Sequence, residues 1–419
     1  MRRSGWVQPA LAGCVSAVVG YASSFTVVLA GLQAVGANSR QAASGLLAAC
    51  LGIAVAAIYL GLRHRMPIAI AWSTPGAALL VAAGPVTGGY AAAVGAFLVS
   101  AALILLAGVV PWLARGIAAI PRPIAGAMLA GVILPLCTAP VRALVDIPLL
   151  AAPVVLTWAV LMRYARRWAV PGALAAAIIG IVVSGAGGGL AGASLRPALE
   201  LTVPTLTVPA LVGIAFPLFL VTMAAQNVPG MAVMSTYGYE PPLRGILVTT
   251  GLVSAAAAPF GGHALNLAAI TAALTAGPDT HPNPGRRWIA TVSLGFGQLT
   301  LGLGAGLATS LVLLSPPALV IAVAGLALLA ALGSSLATAV ADADGREAAV
   351  VTFVVTASGM TVVGIGSAFW GLVAGGLMML VLRRGRRAKN DASEVTAVPD
   401  DAADADQPPL VVASPNRTG

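Results

Sequence analysis

The sequence predicts an all-α polytopic membrane protein of about 14 transmembrane segments, and three observations carry that expectation. Charged residues make up only 8% of the 419 positions, while hydrophobic types make up 59%. A domain that faces water carries roughly a quarter charged residues. The apolar positions come in runs close to the ~20 residues that cross a bilayer as a helix. Threaded alternately through a membrane, those runs leave nearly all Lys and Arg on one side. A water-soluble enzyme and a disordered chain are both excluded. A mean hydropathy of +0.96 also argues against a β-barrel, whose strands alternate polar and apolar. The 49 glycines and the 5% aromatic content suit helices that approach closely.

The runs fall at about 10–31, 42–61, 68–83, 88–109, 122–139, 147–162, 168–187, 208–228, 242–256, 262–276, 288–313, 317–335, 348–364 and 366–382. With both termini placed in the cytoplasm, only Arg40, Arg142 and Arg196 fall outside. Arg2, Arg3, Arg63, Arg65, Arg115, Arg122, Arg163, Arg166, Arg167, Arg244, Arg286, Arg287, Arg346, Arg383, Arg384, Arg386, Arg387 and Lys389 fall inside. This bias accounts for the net charge of +9 without nucleic acid as a partner. The apolar stretch after Met1-Arg2-Arg3 runs on too far for a secretion signal and reads as an uncleaved first helix. Cys14, Cys50 and Cys137 lie in apolar runs and read as buried, inert thiols, with no disulfide framework and no metal spacing. No cofactor is expected. Residues 386–419 carry Asp391, Glu394, Asp400, Asp401, Asp404 and Asp406 among prolines, and read as a disordered cytoplasmic tail.

Two segments break the pattern inside a span. In 67–80, Ile68 to Trp72 reads as extended. Ser73 and Thr74 are natural N-caps, and Pro75 suits the first helical position. A half-helix is therefore expected from about residue 75. In 258–274, Pro259, Gly261 and Gly262 interrupt the chain, and an apolar half-helix is expected from His263 onward. Such breaks can be ordinary loops. Two of them, at the third span of each half, are better read as a transporter binding site, because broken backbone survives in lipid only when it is buried in protein or lines a cavity. Their free N–H groups and positive dipole ends would face an anion. Gln226-Asn227-Val228-Pro229-Gly230 places two amides at the end of a span, where they serve either helix–helix hydrogen bonds or a ligand. The first span has a comparable polar break at Tyr21, Ser23 and Ser24.

The strings Ala71-Trp72-Ser73-Thr74-Pro75-Gly76-Ala77-Ala78-Leu79-Leu80, Gln226-Asn227-Val228-Pro229-Gly230-Met231 and Pro259-Phe260-Gly261-Gly262-His263-Ala264-Leu265-Asn266-Leu267-Ala268-Ala269-Ile270-Thr271 resemble the benzoate/proton symporter (BenE) family. The resemblance covers about residues 8–385 and leaves out only the tail. It implies a fold related to uracil/xanthine and sulfate permeases, with two inverted seven-segment repeats. On that pattern, 1–110 and 207–314 form a core domain from segments 1–4 and 8–11. Residues 111–206 and 315–385 form a gate domain from segments 5–7 and 12–14, and 386–419 is the tail. Substrate would sit between the half-helices of segments 3 and 10. The related nucleobase permeases bind their base with carboxylates on segments 8 and 10. No Asp or Glu lies in the predicted core spans here, which suits an anion.

The candidate substrate-binding residues are Tyr21, Ser24, Trp72, Ser73, Thr74, Gly76, Gln226, Asn227, Phe260, Gly261, Gly262, His263 and Asn266. The carboxylate is expected at Ser73, Thr74, Gly76, Gly261, Gly262 and His263, with Trp72, Tyr21 and Phe260 flanking the ring. Ser73 and Thr74 also serve as plain helix caps, and Trp72 as packing. His263 is the proton-coupling candidate, since an imidazole titrates near neutrality. The alternative is that it only packs and the substrate arrives already protonated. The expected function is proton-coupled import of benzoate or a related aromatic carboxylate across the cytoplasmic membrane. The partners are that substrate, protons and the lipid bilayer, with homodimerisation left open. The competing readings are a carrier of the same fold for a nucleobase or inorganic anion, and a passive anion channel. An intramembrane enzyme is disfavoured, because no nucleophile–base pair or metal-ligand spacing falls in a span.

Overall fold

The computed structural model describes residues 4–110, 121–183, 198–268, 270–363 and 365–396. Arg2, Arg3, Arg115, Arg196 and the tail beyond 396 lie outside the described residues. The described residues are mostly helical. The first half contains α1 (Ser4–Ala22), α2 (Phe25–Ala34), α3 (Ser39–His64), β1 (Ile70–Trp72), α4 (Thr74–Ala83), α5 (Gly89–Val109), α6 (Arg122–Asp146), α7 (Pro148–Tyr164) and α8 (Ala169–Val183). The second half opens with α9 (Val208–Thr236), a long helix with π-turns at Leu211–Ala215 and Met223–Asn227. It continues with α10 (Leu243–Ala257), β2 (Leu265–Leu267), α11 (Ile270–Ala276), α12 (Trp288–Leu303), α13 (Ala305–Leu314), α14 (Pro317–Val340), α15 (Arg346–Ala357), β3 (Thr361–Val362), β4 (Ile365–Gly366) and α16 (Ser367–Thr396).

Among the described residues, eight helices are long and apolar enough to cross a membrane, or nine if the pair bent by 56° at Gly304 counts as one span. The remaining segments are shorter or broken. The first span starts earlier than expected and splits at Ser23-Ser24, where both hydroxyls bond the Gly20 carbonyl. Side chains that compete for the backbone in this way interrupt a helix. The last helix runs past Arg386 to Thr396, into the segment expected to be disordered. Its Arg, Lys, Ala and Glu are good helix formers, and they continue a turn already nucleated by the apolar span. Cys50 and Cys137 are buried, but Cys14 is exposed on the bundle surface, contrary to expectation. The contact of this turn with α12 is made by its neighbour Gly13, which packs against Ala290 and Ser293.

The helices pack in two sets. In one, α3 lies against α12, α12 against α1, and α5 against α10. In the other, α6 lies against α14 and α15, α15 against α16, and α7 against α8. Small residues allow the close approaches: Gly325 of α14 sits against the Leu136 carbonyl of α6 with no room for a methyl group. Residues that the alternating topology assigns to one side also meet in space. Arg40 and Glu200 stand 3.9 Å apart. Gln8 donates to the Asp279 carbonyl at 3.0 Å, and Arg65 lies over the Trp288 ring at 4.3 Å.

Candidate functional site

The two broken segments meet as a short antiparallel ladder, with Ile70 opposite Leu267, Ala71 opposite Asn266 and Trp72 opposite Leu265. Ser73 N–H donates to Ala264 O and Ala268 N–H to Ala69 O, both at 2.9 Å, which extends the ladder at each end. Because the strands run in opposite directions, α4 and α11 leave from opposite ends. Each helix follows its strand within three residues.

Segment 3 follows the local expectation. Ser73 is the N-cap of α4, its Oγ accepting from Gly76 N–H at 3.1 Å, with Pro75 in the first turn. The same hydroxyl is hydrogen-bonded to Thr222 of α9 at 2.9 Å. Gly76 packs so closely on Leu218 and on the Ser73 hydroxyl that a methyl group there would displace one of them. Thr74 is half-buried at the start of α4.

Segment 10 departs from the expectation. The half-helix begins at Ile270, not at His263, because residues 265–267 pair as β2 instead of coiling. Gly261, at φ +89°, makes the turn that reverses the chain, and a side chain there would strike Tyr90. Gly261 N–H and Gly262 N–H are already bonded to Ala258 O and Ala257 O, at 2.8 and 3.0 Å. They are not free anion donors. Phe260 stands with them, its carbonyl accepting from Ser44 at 2.8 Å. These three residues therefore lie at the turn beyond the far end of β2 from α11, and the structure does not bring them to that helix start. His263 links the two regions. It is 1% exposed, its Nε2 hydrogen-bonds Ser73 O at 3.2 Å, and its ring meets Phe97 edge-on at 6.5 Å between centroids. With Nε2 donating to a carbonyl, Nδ1 has no hydrogen-bond partner among the described residues.

Asn227 is fully buried in the second π-turn of α9. Its Oδ1 accepts from Leu267 N–H at 2.9 Å, and its Nδ2 contacts Met223 Sδ at 3.3 Å. Together with Ser254 Oγ, which accepts from Leu265 N–H at 2.9 Å, it satisfies the outer edge of β2. Gln226 beside it is half-buried. Asn266 Nδ2 bonds Leu267 O at 2.9 Å, leaving Oδ1 unpartnered.

The break between α1 and α2 supplies the aromatic side. Tyr21 stacks on Phe25 at 5.2 Å and meets Trp72 edge-on at 5.7 Å. Trp72 Nε1 donates to Ser24 Oγ at 2.9 Å. Thr271, in the first turn of α11, approaches the same break: its methyl would stand 3.0 Å from a Cβ placed at Gly20. The Thr271 hydroxyl is buried and has no hydrogen-bond partner among the described residues. Phe25 and Thr26 open onto a cavity of about 30 Å³, walled by Leu174 and Ile178 of α8, Leu311 and Val312 of α13, and Val320 and Val323 of α14. Tyr21, Ser24, Trp72, Ser73, Thr74, Asn227, His263 and Asn266 thus share one neighbourhood. The sequence reading missed Thr271, Gly20, Thr222 and Phe25. An unpartnered hydroxyl is the signal for Thr271, and only the folded chain reveals it.

A family model described as benzoate membrane transport protein (BenE) matches residues 7–381. The chain is 40% identical over 379 residues to the inner membrane protein YdcO of Escherichia coli K12, covering 89% of this chain and 95% of that protein. It is 31% identical over 377 residues to a benzoate membrane transport protein of Acinetobacter baylyi, covering 89% and 94%. Among solved structures, the transmembrane domain of the cyanobacterial bicarbonate transporter BicA aligns with a TM-score of 0.56 at 17% identity, over 90% of this chain and 98% of that one. The murine Slc26a9 anion transporter aligns with a TM-score of 0.59 at 14% identity, over 91% and 70%. These likenesses establish a multi-pass membrane transporter with the inverted-repeat fold of those carriers.

Proposed function

The chain belongs to the benzoate membrane transport family, and from that premise we propose that it is a secondary active transporter importing benzoate or a closely related aromatic carboxylate with protons. The observation that carries this reading is a pairing of chemistries at one point. The Tyr21–Phe25–Trp72 cluster adjoins the N-terminus of α4 and the unpartnered Thr271 hydroxyl. A ring would lie on the aromatic cluster. A carboxylate would meet Thr74 and the first turn of α4 on one side and Thr271 on the other. The core spans hold no acid to repel it.

Proton coupling runs through His263. Its Nδ1 is the one ring nitrogen without a partner, and its Nε2 holds the carbonyl of the α4 N-cap. A proton gained at Nδ1 would add a positive charge directly behind that cap. The carrier operates in the cytoplasmic membrane with both termini inside. The α1–α5 and α9–α13 set moves against the set containing α6–α8 and α14–α16.

The test is uptake of labelled benzoate into proteoliposomes with and without an imposed pH gradient, competed by uracil, sulfate and substituted benzoates. Saturable uptake driven by an inward proton gradient and competed only by aromatic acids is expected. Competition by uracil or sulfate would reassign the substrate, and uptake indifferent to the gradient would argue for a passive channel. His263→Gln keeps a donor toward Ser73 O but cannot titrate. It should retain benzoate exchange and lose uphill accumulation. Undiminished accumulation would mean that the substrate brings its own proton.

A further inference from the structure

By sequence, Arg287 is half of a basic pair in a connecting loop. In the fold it is 6% exposed. Its Nε donates to His281 O at 2.8 Å, and its Nη1 donates to Ala276 O at 2.7 Å. Ala276 is the last residue of α11. Thr280, 1% exposed, holds a second carbonyl of the same helix end, donating to Leu274 O at 2.8 Å. The half-helix that begins at the substrate site thus ends on a buried guanidinium.

No carboxylate among the described residues lies within 4 Å of Arg287. The ion pair between Arg40 and Glu200 stands on the other side of the predicted topology. The Tyr239 hydroxyl, which donates to Pro284 O at 2.9 Å, supplies no counter-charge, since burial pushes its phenol up further than the nearby guanidinium draws it down. The charge is therefore buried with no ionic partner among the described residues, met by carbonyl dipoles at and just beyond the α11 C-terminus. Capping two carbonyls does not require a charge, since a neutral amide or hydroxyl serves, as Thr280 does. Removing a cation from water is costly, and an ionisable group kept without a counter-ion at the edge of a membrane domain marks function.

We propose that Arg287 is a specificity-determining residue of the anion site. From the closed end of α11, its charge raises the potential where the substrate carboxylate sits, favouring an anion over an uncharged molecule of the same shape. This rests on the anion-carrier reading above. Seven helical residues span about 10 Å. Across that distance, at an effective dielectric constant of about 20, one unit charge changes anion affinity roughly tenfold.

The experiment measures equilibrium binding of benzoate, and competition by its uncharged isostere benzamide, on the purified full-length protein. Arg287→Met should weaken benzoate roughly tenfold and leave benzamide within about twofold. Arg287→Lys should keep the wild-type preference for benzoate. Thr280→Val, which removes a cap but no charge, should leave the preference unchanged. Equal losses for both ligands in Arg287→Met, a lysine variant as weak as the methionine one, or an equal loss in Thr280→Val would make Arg287 a structural cap and overturn the proposal. Should Arg287→Met fail to fold, the lysine and Thr280 variants decide, because a charge role requires lysine to match wild type. Wild-type protein that binds no benzoate would overturn the substrate reading instead. The same variants are then read on bicarbonate, whose affinity the charge would still raise.

Discussion

Segments 3 and 10 occupy equivalent places in the two halves, yet they are held in different ways. Segment 3 is organised by its own residues. Ser73 caps α4 and Pro75 sets its first turn. Segment 10 is organised from outside. Asn227 and Ser254 satisfy β2, His263 ties its approach to Ser73, and Thr280 and Arg287 close the end of α11. One side of the site is locally determined, while the other borrows its geometry from α9, α10 and the loop before α12. The difference implies that segment 10 is the more easily disturbed side.

The largest expected effect therefore falls on the borrowed geometry. Asn227→Ala leaves Leu267 N–H buried without an acceptor, a loss of about 1–3 kcal/mol. Thermal unfolding in detergent should show it, and transport should fall with it. An Asn227→Ala protein of wild-type stability that has lost benzoate affinity would make Asn227 a ligand contact rather than a tether. Thr271→Val makes the opposite case on the same segment. The hydroxyl has no partner to lose, so stability should hold. Affinity for the anion should drop by about 1.5–3 kcal/mol, the range for a hydrogen bond to a charged group. Unchanged binding would move the carboxylate away from α11.

The same contrast explains what the sequence could reveal. Ser73-Thr74-Pro75 is legible because capping acts over a few residues, and the structure follows it closely. Segment 10 was legible only as a break. A strand of three residues has no local signature and exists here because Ile70–Trp72 stands opposite to pair with it, so a helix from His263 was the wrong inference. Gln226 and Asn227 drew notice as costly amides, but the partner of Asn227 lies forty residues away. Thr271 resembles any threonine of an apolar helix, where the hydroxyl usually bonds back along the chain, as Thr275 does to Thr271 O. Arg287 reads as a solvated loop cation until packing buries it. The membrane class and the apolar helices were legible because hydropathy over a span is a local property that needs no distant partner.

Ser73→Ala should cost less than Asn227→Ala, about 1 kcal/mol for a lost N-cap, because α4 keeps Pro75 and its packing. A greater loss than in Asn227→Ala, measured in the same detergent, would reverse the ranking of the two segments.

The smallest effects lie at the break between α1 and α2, which touches both segments through different atoms. Trp72 Nε1 bonds Ser24 Oγ on the segment 3 side, while Gly20 abuts Thr271 on the segment 10 side. Trp72→Phe keeps an aromatic face toward Tyr21 and removes one hydrogen bond, worth about 0.6 kcal/mol between membrane helices. Gly20→Ala puts a methyl 3.0 Å from the Thr271 methyl, so α11 must yield by a few tenths of an ångström. If segment 10 is the compliant side, Gly20→Ala lowers benzoate affinity while stability stays near wild type, and Trp72→Phe lowers stability slightly while affinity holds. Both variants losing affinity equally would mean that the break couples the two half-helices into one rigid unit, and that the asymmetry ends where the substrate begins.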